Sequence, residues 1–159
     1  MKSFSVHYGF TQHFDFPPRA AYRWCVNYDP GDLKIVGENG VRKIRKLNED
    51  TLILTDTFFT RKGNVVRKRL IKLYPESLSW TNTRVSPEAR HSQFLYRILP
   101  EKGGSRLVFT GSQMFPGTAT ASRRAALARK LAGEDVSWWK HFAKAMDADL
   151  GKRERHHQK

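Results

Sequence analysis

The sequence contains a single cysteine, Cys25. One thiol cannot build an intrachain disulfide framework, so the fold must rest on its core, and a reducing compartment is expected. Long apolar runs are missing too, and nothing approaches the ~20 residues that span a bilayer. The first ten residues, MKSFSVHYGF, lack the continuous apolar stretch of a secretion signal. These absences together lead to the expectation of a soluble, cytoplasmic protein. Acids are scarce: 15 Asp and Glu stand against 29 Lys and Arg, a formal charge of +14. Such a field attracts anions, whether RNA, acidic membrane lipid or carboxylated ligands, or it serves only solubility; it carries no information about the fold.

Catalytic signatures are also absent. There is no G-x-S-x-G, H-E-x-x-H, P-loop or G-x-G-x-x-G. His7 and His13 share a strand face, but six residues of strand span roughly 20 Å, too far for one ion. His156 and His157 lie in a polar tail. Neither a metal nor a cofactor is expected. Cys25 has no CxxC partner and reads as a small buried hydrophobe. Gly103-Gly104 reads as a hairpin turn.

What the chain does have is aromatic mass: 10 Phe, 5 Tyr and 4 Trp, within 39% hydrophobic residues. That is too apolar for a disordered segment, and 159 residues suffice for one domain with a core. Over residues 3–14, Phe4, Val6, Tyr8, Phe10 and Phe14 share one parity, the period of a half-buried strand. Pro17-Pro18 opens a short helix, because proline is tolerated in a first helical turn. Ala21, Trp24, Cys25 and Tyr28 give that helix an apolar face, with Trp24 and Cys25 as a floor beneath the sheet. Asp29-Pro30-Gly31 ends it. Residues 32–38 hold one more helical turn or a loop.

From Val41 to Pro116 the pattern is strand, turn, strand. The runs 41–48, 51–61, 64–74, 77–85, 92–99 and 105–115 are separated by short turn-rich breaks, which predicts an antiparallel meander. Beyond Pro116 the composition shifts to Ala, Arg and Lys. Ala121, Ala125, Ala128, Leu131, Asp135, Trp138, Phe142, Ala145 and Asp149 trace an amphipathic helix of about 30 residues, ~45 Å long. Gly133, costing about 1 kcal/mol inside a helix, is expected to split it. One domain over 1–150 and a frayed basic tail over 151–159 follow.

A seven-stranded sheet with one apolar face needs a cover, and the C-terminal helix is the only element long enough. The expected fold is α+β: a curved antiparallel sheet wrapped around that helix, with one or two short helices between strands 1 and 2. The chain here resembles the START-related (SRPBCC) superfamily with its helix-grip fold, and more narrowly its polyketide cyclase/dehydrase-like and coenzyme-Q-binding-like members. The resemblance rests on Phe14-Asp15-Phe16-Pro17, Ala21-Tyr22-Arg23-Trp24, Asp29-Pro30, Leu99-Pro100 with Gly103-Gly104-Ser105-Arg106-Leu107, and Trp138-Trp139-Lys140-His141-Phe142. It implies a cavity between sheet and helix for a lipid, sterol, polyketide or hormone, and enzymatic activity in a few members. Fold alone does not fix function.

Polar residues on faces that should be apolar mark the candidate site. Asp56 and Phe58 share a face, as do Trp80, Asn82 and Arg84, and Phe109 and Gln113. Arg69 stands on the apolar face of its strand and is a plausible partner for Asp56, since a buried carboxylate needs one. With Tyr8, Trp24, Trp138 and Phe142 these residues make a mostly apolar cavity with a few convergent polar groups. The expected function is binding or transport of a hydrophobic small molecule or lipid, neutral or acidic, without catalysis. One alternative is an aromatase/cyclase-type enzyme using Asp56, Arg69, Trp80 and Arg84. Another is an RNA- or ribosome-associated domain that uses the clusters at Arg42-Lys43, Arg45-Lys46, Arg61-Lys62, Arg67-Lys68-Arg69, Arg123-Arg124 and Arg129-Lys130. The first of these clusters, basic on both strand faces, also suits an edge strand.

Overall fold

The computed structural model describes residues 2–85 and 92–157, with side chains as far as Lys152. Strand β1 (Ser3–Phe14) is followed by helices α1 (Pro18–Cys25) and α2 (Asp32–Ile35). Six strands come next: β2 (Gly40–Asn48), β3 (Thr51–Thr60), β4 (Gly63–Tyr74), β5 (Ser79–Arg84), β6 (Gln93–Glu101) and β7 (Gly104–Pro116). Helix α3 (Ala121–His157) closes the chain. The seven strands form one antiparallel sheet in the order β1-β7-β6-β5-β4-β3-β2, so β1 crosses to pair with the last strand and β2 is the far edge. The expected turn at Ser86-Pro87-Glu88 lies outside the described residues.

Alternation set the faces as expected. In β3, Leu52, Leu54, Asp56 and Phe58 are buried while the residues between them are half-exposed. In β1, Phe4, Val6, Tyr8 and Phe14 point inward. Strand β5 starts later than the pattern suggested. Pro75–Ser77 forms a 3-10 turn and Leu78 adopts φ 49°, so regular pairing resumes only at Ser79. Gly104 is required for steric reasons. A Cβ there would collide with the Phe14 carbonyl, since the β6–β7 turn presses against the end of β1.

Helix α3 differs from expectation in three ways. It is unbroken at Gly133, it runs through Gly151 to His157, and its buried stripe is rotated. Gly133 faces open space, so nothing there forces a bend, and packing on either side outweighs the ~1 kcal/mol propensity cost. The side chain that enters the core is Trp139, not Trp138. Its ring lies 6.3 Å from Phe14 and 5.7 Å from Tyr96. Met146, absent from the expected stripe, is fully buried in the main cluster with Leu54, Ile71, Trp80 and Ile98. Trp24 is half-buried at the edge of α1, its Nε1 donating to Asp149 Oδ2 at 2.9 Å and its ring meeting Phe142 edge-on.

Two outcomes follow from this packing. Met146→Ala is expected to lower the unfolding free energy by about 2–5 kcal/mol, and Trp24→Ala by distinctly less, in urea titrations followed by circular dichroism. Equal costs for the two would contradict the observed helix register. At the end of β1, His13 Nδ1 lies 2.6 Å from Glu101 Oε2 and Nε2 lies 3.0 Å from Asp15 Oδ1. The Glu101 bond, helped by Asp15, raises the imidazole pKa above its ordinary value. A raised folded pKa stabilises fully below the unfolded value of ~6.5, and the gain is lost as pH rises through the folded pKa. His13→Gln therefore costs more at pH 6 than at pH 9, by well under 1 kcal/mol because the pair is exposed. Melting curves that shift equally at both pH values would refute the assignment.

Candidate functional site

A cavity of about 400 Å³ lies between the inner face of the sheet, helices α1 and α2, and the middle of α3. Its size falls at the lower end of small-molecule pockets. One wall is aromatic. Tyr96, Trp139 and Phe142 face it in succession, with ring centroids 5.7 Å and 5.4 Å apart. Behind Tyr96, Trp80 stacks at 4.9 Å with the two planes 4° apart. The ring that meets the cavity is therefore held rigid by the one behind it.

The rest of the lining is polar and centres on Asp56, which is 1% exposed. Cross-strand pairing sets Arg42 of β2 and Arg67 of β4 opposite Asp56, and puts Arg69 on the same inner face. Arg42 donates to both carboxylate oxygens, at 2.7 and 3.0 Å, and Arg69 Nη2 donates at 2.7 Å. Burial pushes the Asp56 carboxyl up, but the two arginines outweigh it and hold its pKa below the usual range. Arg42 also reaches Asp32 at 3.3 Å. One long contact does not suffice there, and burial pushes Asp32 up to about 6.

A second polar chain joins sheet to helix. Gln113 Nε2 donates to Tyr8 Oη at 3.1 Å, and Tyr8 Oη donates to Asp135 Oδ2 at 2.6 Å. Burial raises the Asp135 pKa more than Tyr8 and the nearby charge of Arg84 lower it. Burial likewise pushes the Cys25 thiol up, which keeps it protonated and inert at the cavity edge.

Of the residues expected at the site, Trp24, Asp56, Phe58, Arg69, Asn82, Arg84, Gln113, Trp138 and Phe142 line the cavity. Trp80 and Phe109 do not. They pack behind its wall, Phe109 stacking on Phe10 at 4.6 Å. Tyr8 also sits behind, reaching the site only through its hydroxyl. The sequence reading missed Arg42, Tyr96 and Trp139, and it put Asp135 on the inward helical stripe without counting it at the site. For Arg42 the signal was available: a tight β2–β3 hairpin puts it opposite Asp56. Among the described residues, no three His, Cys, Asp or Glu side chains converge to hold a metal ion. Nor, among the described residues, is any helix long and apolar enough to cross a membrane.

No family model matches the chain, and a search of curated proteins finds no match. Solved structures do match. The di-domain aromatase/cyclase StfQ of the steffimycin biosynthetic pathway superposes with a TM-score of 0.72 at 11% identity. That match covers 93% of this chain, which spans about half (52%) of that protein. A protein of unknown function from Staphylococcus aureus, SA2116, gives 0.76 at 12% identity, over 94% of this chain and 98% of the other. Ara h 8.0201 gives 0.69 at 12% identity, over 92% and 99%. The chain has the helix-grip fold. This is the fold that the START-related resemblance implied, and identities this low speak to fold alone.

The Asp56 cluster yields a test. Asp56→Ala leaves Arg69 without its carboxylate and Arg42 with only the 3.3 Å contact to Asp32, and is expected to cost about 3–5 kcal/mol at pH 7 by urea denaturation. Because the folded pKa of Asp56 is depressed, its contribution is present above the unfolded value of ~3.9 and is lost as pH falls through the folded one. The acid limb of the stability profile should flatten in Asp56→Asn. A cost under 1 kcal/mol for Asp56→Ala would show that the cluster is not structural.

Proposed function

We propose that the chain binds one small hydrophobic molecule in the cavity and holds it without transforming it. The observation that carries this reading is the mixed lining of the cavity: a rigid aromatic bank of Tyr96, Trp139 and Phe142 together with a cluster of charged and amide side chains. Apolar surface with a few fixed polar groups is the usual composition of a ligand site. The fold is shared with aromatase/cyclases and with Ara h 8.0201, which is consistent with ligand binding but leaves the ligand open.

One observation favours a second reading, chemistry of the aromatase/cyclase kind. Asp135 faces the cavity with a pKa raised by burial and a hydroxyl donor at 2.6 Å, an arrangement within reach of a bound molecule for proton exchange. The RNA reading gains nothing comparable. Lys43, Arg45, Lys68 and Lys72 lie on the outer face of the sheet among Val41, Leu47 and Val66, and the exposed rings of that face, Phe59 and Tyr74, stand at opposite ends of β4 rather than side by side as a stacking platform.

N-phenyl-1-naphthylamine, a neutral apolar fluorophore, is expected to bind one site and quench tryptophan emission. Phe142→Ala should weaken it about fivefold, the loss of one aromatic contact of roughly 1 kcal/mol. Native mass spectrometry of the purified protein gives a second readout. A protein that binds no apolar probe and retains no small molecule would sink the reading. Turnover of a poly-β-ketone that Asp135→Asn abolishes would replace it with the second.

A further inference from the structure

Arg69 and Arg84 stand directly opposite each other on β4 and β5, on the inner face. Like charges in opposed strand positions repel, and removal from water strengthens the repulsion. Arg69 has a partner in Asp56. Arg84 has none: among the described residues no carboxylate lies within ion-pairing distance of it, and its Nε is buried without an acceptor. Its guanidinium lies over the ring of Phe94, 5.4 Å from the centroid. Burial first, and then the charges of Arg67 and Arg69, lower its pKa. The acid that faces it from α3, Asp135, is occupied by Tyr8. Two further buried atoms on the same patch lack partners, Asn82 Oδ1 and Arg69 Nε. Unpaired buried polar groups are costly and uncommon in native proteins. Here three of them cluster at one end of the cavity.

We propose that Arg84 is the anchor for the anionic group of the ligand, and that the ligand is an organic monoanion with an apolar body, an aromatic carboxylate being the simplest case. The guanidinium fork matches a carboxylate bidentately. Asn82 supplies a neighbouring amide, whose oxygen and nitrogen exchange places by a flip. The body of the ligand then lies toward Tyr96, Trp139 and Phe142. A neutral ligand would leave Arg84 uncompensated, and a cation would add to the repulsion. This inference rests on the cavity being a ligand site.

The test is displacement of N-phenyl-1-naphthylamine by 2-naphthoate and by 2-naphthalenemethanol, which share a ring system and differ in charge. The wild type should bind naphthoate at least about tenfold more tightly than the alcohol, a difference of ~1.4 kcal/mol. Arg84→Gln should abolish that preference without weakening the alcohol. Lys68→Gln, on the outer face, controls for overall charge and should retain the preference. Arg84→Gln without ligand should also melt about 2–4 °C higher, because a repelled, unpaired charge is gone. Equal affinities in the wild type, a preference that survives Arg84→Gln, or a lower melting temperature for that variant would each overturn the anchor while leaving the cavity reading intact. A wild type that binds the fluorophore and neither naphthalene compound would also overturn it. Failure to bind any of the three compounds overturns the cavity reading and the anchor with it.

Discussion

The ionised carboxylate of Asp56 is the constraint on which the site depends. A charge buried to 1% exposure has to be compensated, and the protein does so with two guanidinium groups from the strands on either side. That solution ties β2, β3 and β4 together at one height. It also commits the inner face of the sheet to a polar patch where an ordinary core would continue with leucine. Leu52 and Leu54 stop below it, and Phe58 resumes above it. The space that aliphatic side chains would otherwise fill is the cavity.

The two walls are held by different physics. The polar wall is fixed by directional bonds, whose geometry follows from pairing register: Arg42, Asp56 and Arg67 occupy matching positions on three strands. The aromatic wall is fixed by ring packing, as Trp80 stacks behind Tyr96 and Phe109 meets it edge-on. Neither wall depends on a loop. Walls carried by strands and by α3, with α1 and α2 at the rim, are ordered before a ligand arrives, which lowers the ordering cost of binding.

The strands and their faces were legible in the sequence because period-two alternation leaves only two choices per strand, and buried phenylalanines and leucines identify the correct one. Depth was not legible. Parity places Trp80, Asn82 and Phe109 on the inner face, but whether a ring meets the cavity or packs behind another ring depends on curvature and on neighbours distant in sequence. The helix register failed for a related reason. Alanine dilutes the apolar signal of α3, so neighbouring stripes fit nearly equally well: Leu131, Asp135 and Phe142 face the cavity on either, while Trp139 and Met146 belong to only one of them. Packing against Phe14 and Tyr96 decides between them. Arg42 was hidden because an edge strand rich in Lys and Arg looks solvated on both faces, although one of its arginines points inward to a carboxylate.

Helix α3 is fastened at two points, to β1 through Tyr8 and Asp135 and to α1 through Trp24 and Asp149. The fastenings are 14 residues apart, ~21 Å along the axis. A rod held twice cannot tilt without releasing one end. The inner fastening is short and partly buried, whereas the outer one is exposed to competing water. The α1 end is therefore the one whose side-chain bond water can replace, while Met146, one turn away, keeps that end of the helix seated in the core.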